Sequence, residues 1–478
     1  MRVRTRFAPS PTGFMHIGNL RTALYAYLFA KHNNGDFILR IEDTDTERYV
    51  EGAESFIYKI LDQAKLNHDE GPDVGGNYGP YVQSQRKEIY NKYAEELIKR
   101  GGAYRCFCTK ERLDTLANEK GIKKYDKHCL HLTKEEIQEK LDAKIPYVIR
   151  QNIPLEGETE YEDMVFGTIK VPCQDMEDNI LIKSDGMPTY NFANVVDDHL
   201  MEISHVMRGE EYLSSTPKYN LMYDCFGWER PKYIHLPPIM KDAQRKLSKR
   251  YGDANFEDFI NKGFIPEAIV NYIALLGWSP KGNQEKMTIE ELIENFSIDG
   301  VSKSPAIFDE TKMRWLNGQY IKEMDFYKFM ELAKPYFDNS IIKDKYDYEK
   351  FGKLLQTRIE ILSEIPDKVA FINEFGMLNA DLFYHKKMKT DVEMAKTLLP
   401  IAIDTLKNVE DFSTENIHDS LVKVAEDNGF KGGQMLFIIR AAVTGVQSTP
   451  GGAVEMIDIL GKEETLSRLA ITINQLKG

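Results

Sequence analysis

Two stretches of this chain, about 230 residues apart, carry residue types suited to phosphate chemistry. The first is Arg6-Phe7-Ala8-Pro9-Ser10-Pro11-Thr12-Gly13-Phe14-Met15-His16-Ile17-Gly18-Asn19. An extended segment over 3–8 runs into a Pro/Gly turn, and a helix starts directly after His16-Ile17-Gly18. Its apolar stripe is Leu20, Ala23, Leu24, Tyr27 and Leu28, closed by Asn33-Asn34-Gly35. His16 and Gly18 therefore occupy a first helical turn, where unpaired backbone N–H groups and the helix dipole favour phosphate. A glycine there lets a flat ring approach the backbone. The second stretch is Lys246-Leu247-Ser248-Lys249-Arg250. Two lysines three residues apart on a basic loop can clamp a triphosphate and neutralise charge developing on pyrophosphate. Taken alone, such a loop reads as an exposed basic segment. No G-x-x-x-x-G-K-[ST] word occurs, so the phosphate site is not a Walker loop.

Cys106-Phe107-Cys108 and Cys129-Leu130-His131 form a third constellation. In extended segments residues two apart share a face, so each pair offers two ligands to one side. Four N/S ligands with no open position describe a structural, tetrahedral zinc site. Tyr125 and His128 are alternatives for one ligand, and Cys is also common as a small buried apolar residue. Cys173 and Cys225 read as core residues, as do Trp228, Trp278 and Trp315, each set among apolar neighbours. Lys386-Lys387-Met388-Lys389 reads as solvated surface.

The elements that must position these groups follow from pattern. Residues 37–41 form a short β-branched apolar run, and strand, helix, strand within about forty residues indicates a βαβ unit and a parallel sheet. Glu42, Asp43 and Asp45 lie just past that strand, on the edge where α/β sheets place ligands. Residues 104–185 change to short β-like pieces with one helix near 133–141, which reads as an insertion. The sheet pattern resumes over 190–198 and 203–208. Beyond the basic loop the chain turns helical, at 266–276, at 288–295 and through nearly everything past Tyr327. Stripes such as Phe351, Leu354, Leu355, Arg358 and Ile359 mark an all-α module.

The bulk numbers bound the class. A length of 478 residues suggests about three domains. Charged residues are 29% and hydrophobic ones 42%, ordinary for a globular protein. The net charge of −13, from 62 basic and 75 acidic residues, disfavours a non-specific nucleic-acid coat but not a shaped RNA site with local basic patches. Five cysteines, an odd number, argue against a disulfide framework and fit a reducing cytoplasm. No run of about eighteen apolar residues occurs and no signal-peptide core is present, so no membrane association is expected.

In this order, the two phosphate words resemble the paired signatures of class I aminoacyl-tRNA synthetases, and their surroundings are similar to bacterial-type glutamyl-tRNA synthetases. The likeness covers essentially the whole chain, including Gly71-Pro72-Asp73, Asp185-Gly186-Met187-Pro188-Thr189-Tyr190 and Trp315-Leu316-Asn317. It implies an α/β Rossmann-like catalytic domain with an α+β insertion, followed by an all-α C-terminal anticodon-binding region. The expected division is catalytic 1–103, inserted acceptor-end domain 104–185, catalytic 186–252, helical stem-contact domain 253–325 and anticodon-binding region 326–478. A helical last third separates the chain from glutaminyl and eukaryotic glutamyl enzymes, which carry β-barrels there. Its length separates it from a shortened relative that glutamylates a modified tRNA base.

The resemblance implies ATP-dependent ligation of L-glutamate to tRNA(Glu) through a glutamyl-adenylate. The 2′-hydroxyl of the terminal adenosine receives the glutamyl group, and activation needs bound tRNA. ATP, with Mg²⁺, would meet Pro9, Ser10, Thr12, Gly13, His16, Gly18, Asn19, Lys246, Ser248 and Lys249, with His16, Lys246 and Lys249 as catalytic groups. Asn19 stands where the family word has a second His. Glutamate requires partners for one ammonium and two carboxylates. Arg6 and Arg208 offer planar forks, Glu42 can pair with the ammonium, and Ala8, Ser10, Tyr190 and Asn194 are the other matching positions. A buried guanidinium placed for a carboxylate is underpaired by an amide, a mismatch that can cost a factor of about 10⁴. Aspartate, one methylene shorter, is rejected by about 1–3 kcal/mol through packing alone.

Some members carry the Cys/His pattern at this point of the insertion, which makes Cys106, Cys108, Cys129 and His131 the implied zinc ligands. Arg358, on a helix of the anticodon module, matches the position where members restricted to glutamate tRNAs carry arginine. The expected protein is a cytoplasmic monomer that meets tRNA(Glu) and glutamate but neither DNA nor membrane. Two other readings compete. A small-molecule nucleotidyltransferase would leave about 150 residues of C-terminal helices without purpose. A non-catalytic RNA-binding relative should have lost His16 or one of the two lysines.

Overall fold

β1 (Arg4–Phe7) and β2 (Asp36–Leu39) pair in parallel, with Arg4 opposite Asp36 and α1 (Ile17–His32) crossing between them. The computed structural model describes residues 2–11, 15–45, 50, 52–116, 124–247, 255–373, 375–376 and 378–477. These residues form two compact units. In the first, α1 is more deeply buried than one apolar stripe requires. Leu20, Leu24 and Leu28 are covered, and so are Tyr25, Ala26 and Phe29 on the other faces. The cause is packing on both sides, with β1, β2 and a later strand beneath and the helices Pro266–Ala274 and Ile289–Asn295 above. A helix apolar all round is a buried one. The turn that returns the chain to β2 needs Gly35, because a Cβ there would collide with the Val3 carbonyl.

The insertion holds β3 (Ala103–Cys106), β4 (Val148–Gln151), β5 (Glu158–Asp163), β6 (Gly167–Pro172) and β7 (Ile180–Ile182). β3, β4 and β7 make an antiparallel sheet, and β5 and β6 a hairpin. The helix expected near 133–141 is Lys134–Asp142, started by a capping box between Thr133 and Glu136. The parallel layer continues with β8 (His205–Gly209) and β9 (Lys232–Leu236), which pair with Arg208 opposite His235. β5 joins β9 at Asp163. β8 lies beside β1, where the Ser204 N–H donates to the Arg4 carbonyl at 3.0 Å.

One expected strand is a helix. Residues Tyr190–Leu200 are α-helical, with Phe192, Val195 and Val196 buried against Leu181, Tyr219 and Phe226. The spacing i, i+3, i+4 outweighs the β-branched pair that suggested a strand. Of the tryptophans, Trp278 is buried and Trp228 stacks between His199 and Phe226, at 3.7 and 4.0 Å between ring centroids. Trp315 departs from expectation at 43% exposure. Cys173 is buried and Cys225 partly so.

The second unit, Ile260–Ile265 with Thr311–Gly478, is helical, with one isolated β-bridge between His385 and Thr390 among its described residues. Its core is built from Phe329, Phe337, Phe351, Leu355, Leu398, Leu421, Ile438 and Ile457, each with no solvent exposure. The last helix, Ala453–Lys477, is broken at Gly461, whose φ of 77° is non-helical.

Candidate active site

A cleft of about 640 Å³ opens where the carboxyl ends of β1, β8 and β9 meet the start of α1. Arg6, Ala8, Pro9, Ser10, His16, Gly18, Asn19, Glu42, Tyr190, Arg208 and Lys246 all line it. Asn194 does not. It is buried one turn along its helix and donates back to the Tyr190 carbonyl at 2.6 Å. Thr12, Gly13, Ser248 and Lys249 lie outside the described residues. Arg21, Tyr212 and Glu211 line the cleft without having been singled out by sequence reasoning.

His16 caps α1. Its Nδ1 accepts from the Gly18 N–H at 3.0 Å, which assigns the ring proton to Nε2. The imidazole is thus held as an Nε2–H donor at the positive end of the helix dipole. A Cβ at Gly18 would stand 3.1 Å from that Nδ1, close enough that the ring would have to shift. Lys246 is exposed, and its neighbour Leu247 anchors the loop through a bond from its N–H to Ile239 O at 3.0 Å.

Beneath the cleft lies a buried charge network. Arg6 is not a free fork. Its Nε and Nη2 go to Asp198 at 3.0 and 3.2 Å, and Nη1 goes to Met207 O. Arg40 joins Asp198 at 2.8 Å to Glu42 Oε1 at 2.9 Å. Asp197 takes Arg86 at 2.7 Å, Gln83 and the Tyr90 hydroxyl. Three arginines (Arg6, Arg40, Arg86) therefore face three carboxylates (Glu42, Asp197, Asp198). Burial raises the Asp198 carboxyl, but Arg6 and Arg40 overcome it and hold the group below its ordinary value. In Glu42 burial prevails, leaving it above the ordinary value in spite of Arg40 and Arg6.

Arg208 stands apart from this neutral set. It is buried, with its guanidinium 4.9 to 5.7 Å from the rings of Tyr212, Tyr219 and Tyr233. It makes no ion pair with any carboxylate among the described residues, and it donates to His235 Nε2 at 3.2 Å and to Thr216 Oγ1 at 2.6 Å. A buried charge without a counter-ion is costly unless a ligand supplies one.

In the insertion, the Sγ atoms of Cys106, Cys108 and Cys129 lie within 4.8 Å of one another. The Tyr125 hydroxyl joins them, at 3.3 Å from Cys106 and 3.4 Å from Cys108. His131 is outside the group and exposed. The reason is local. Cys129 and His131 sit on a 3₁₀ turn, His128–His131, where residues two apart point about 240° apart rather than to one face. Crowded sulfurs cannot all ionise unaided, and the hydrogen bond from Cys129 lowers Cys106 while it raises Cys129 itself. Arg358, in the helical unit, is exposed in the turn after the helix Tyr348–Leu355 rather than on it, with Nη1 donating to Leu354 O at 2.7 Å.

A capped helix start and Lys246 at the carboxyl edge of a parallel sheet, with a helical unit later in the chain, fit a class I aminoacyl-tRNA synthetase, and the chain's relatives place it in that class. Residues 2–315 match the family described as "tRNA synthetases class I (E and Q), catalytic domain", and residues 328–473 match "Anticodon binding domain". The chain is 57% identical to "Glutamate--tRNA ligase" of Clostridium tetani, covering 100% of this chain and 98% of that one. It is 54% identical to the Clostridium acetobutylicum protein of the same name, with 99% of each covered. Among solved structures, a glutamate tRNA ligase from Elizabethkingia meningosepticum, determined in complex with its amino acid, superposes with a TM-score of 0.90 at 36% identity, covering 100% of both chains. The chain belongs to the glutamate–tRNA ligase family.

Proposed function

We propose that this protein joins L-glutamate to tRNA(Glu) at the expense of ATP, in the cleft described above. The observation that carries the proposal is the meeting in one cleft of a helix N-terminus, His16, Lys246 and a buried guanidinium without a carboxylate partner among the described residues. Glutamate carries one net negative charge at neutral pH, which matches Arg208 above a charge network that is already balanced. A carboxylate oxygen of glutamate attacks the α-phosphorus of MgATP and pyrophosphate leaves. The 2′-hydroxyl of the terminal adenosine then attacks the mixed anhydride, its proton is lost and AMP leaves. Mg²⁺ enters as part of the nucleotide substrate.

In this reading His16 donates its Nε2–H to phosphate oxygens, and Lys246 and Lys249 stabilise the pyrophosphate charge. Pro9, Ser10, Thr12, Gly13, Gly18, Asn19 and Ser248 shape the nucleotide end. Arg208 with Tyr190, Ala8, Ser10 and the outer protons of Arg6 takes the carboxylates. Glu42, whose Oε2 makes no hydrogen bond to the described residues, takes the ammonium, and Asn194 acts by fixing Tyr190. The insertion, 104–185, meets the acceptor end, and the helical region meets the anticodon with Arg358 among its contacts. In this reading the protein acts as a monomer, and its five cysteines suit a reducing cytoplasm.

Three sulfurs with a phenol oxygen are a chemically suitable donor set for structural zinc, held by Cys106, Cys108, Cys129 and Tyr125 in place of His131. The metal would brace the insertion and take no part in the reaction. Chelator-washed protein retains about one zinc per chain in this reading, and metal analysis finding none would remove it.

The decisive experiment is tRNA-dependent ATP–pyrophosphate exchange with glutamate or glutamine. Exchange is expected with glutamate and tRNA(Glu), and with glutamine about 10³- to 10⁴-fold less efficiently. Equal exchange with both amino acids, or none with either, defeats the proposal.

A further inference from the structure

Arg208 is held by more than the cleft. Its register partner on β9 is His235, so both side chains leave the sheet on one face. The Arg208 Nε–H points to His235 Nε2 at 3.2 Å. A guanidinium can only donate, so Nε2 is the accepting nitrogen and the imidazole proton resides on Nδ1. That proton goes to Asp163 Oδ2 at 2.6 Å, with both residues fully buried. Asp163 is itself fixed. Oδ1 accepts from the N–H groups of Val165 and Phe166, each at 2.9 Å, and Oδ2 also accepts from the His235 N–H. Thr216 completes the cradle, because its hydroxyl proton goes to Tyr212 O and leaves the oxygen to accept from Arg208 Nη2.

We propose that Asp163 and His235 form a positioning dyad that makes Arg208 a rigid, carboxylate-selective receptor. The Asp163 carboxylate is held one neutral ring away from the arginine. It orients the guanidinium through the imidazole without occupying its outer edge, where Nη1 and one Nη2 proton are left for a substrate carboxylate. A carboxylate placed directly against Arg208 would align it equally well but would satisfy it, abolishing the preference for an acidic amino acid. Burial first, and then the Arg208 charge, press the imidazole toward its neutral form against the pull of Asp163, which keeps Nε2 an acceptor. The inference rests on the reading that Arg208 binds glutamate.

The test is steady-state pyrophosphate exchange with tRNA present, comparing KM for glutamate, KM for ATP and the glutamate-to-glutamine selectivity. His235→Phe is expected to raise the glutamate KM about 10- to 100-fold and to lower selectivity by a similar factor, with the ATP KM within about twofold of the parent. His235→Gln, which returns an acceptor near the Nε2 position, is expected to recover most of both. If a folded His235→Phe keeps its glutamate KM and selectivity while Arg208→Gln loses them, the dyad is overturned and the pocket reading stands. If Arg208→Gln also keeps them, the pocket reading fails. Should His235→Phe not fold, Asp163→Asn and His235→Gln decide. A glutamate KM raised several-fold in the former and near the parent value in the latter supports the dyad, and equal values overturn it.

Discussion

At the scale of single residues, the nucleotide end of the cleft depends on one ring being unable to turn. Gly18 leaves room for His16 to cap its own helix, and Gly18→Ala would press a methyl against Nδ1 at 3.1 Å. The imidazole would tilt or lose its cap bond, and its Nε2–H would leave the phosphate line. Activation is expected to slow about 10- to 100-fold with little change in glutamate KM, and a variant that matches the parent in single-turnover activation would contradict this role. A second prediction concerns His205, which is buried against Phe29 with 4.9 Å between ring centroids and whose pKa burial lowers to about 4. The unfolded chain protonates such a group near 6.5. The folded state therefore binds its proton later as pH falls. The stability that neutral His205 contributes is present above about 6.5, declines below it and is lost near 4. His205→Phe is expected to lose less of its urea midpoint between pH 7 and pH 5 than the parent, and equal losses would assign the acid sensitivity elsewhere.

At the scale of elements, periodicity located most of the frame, because strands and amphipathic helices leave local marks. The first βαβ unit and the capped helix Lys134–Asp142 were legible for that reason. The helix Tyr190–Leu200 was not, since its paired valines suit either state and only packing against Leu181 and Tyr219 decides. The same limit applies within the site. His16, Gly18 and Lys246 could be named because their neighbours in sequence form a recognisable word. Asp163 and His235 meet across 72 positions and carry no local signature. His131 does not stand beside Cys129 at the sulfurs, because the two lie on a 3₁₀ turn rather than an extended segment. Within the helical unit, Asn317 joins segments distant in sequence. Its Oδ1 accepts from the Ile265 N–H at 2.9 Å and its Nδ2 donates to Glu360 O at 2.5 Å, with no exposure to solvent. Asn317→Ala leaves two buried backbone groups unpaired, and a loss of about 2 kcal/mol is expected in chemical unfolding of the second unit. A change below about 0.5 kcal/mol would mean that the two groups find other partners.

For the molecule as a whole, two units with separate cores predict two unfolding transitions rather than one. Glutamate together with a non-hydrolysable ATP analogue should raise only the transition of the unit holding the cleft. Scanning calorimetry that shows a single two-state peak, moved as a whole by these ligands, would contradict this. No helix among the described residues is long and apolar enough to cross a membrane. The balanced network under the cleft has a consequence for lineages. Arg6, Arg40 and Arg86 and the three carboxylates they face are so buried that neutralising any one of them strands a charge. Such positions cannot drift singly. Surviving descendants must alter them in compensating pairs, so the floor of the pocket is inherited as a block while the surface around it is free to vary.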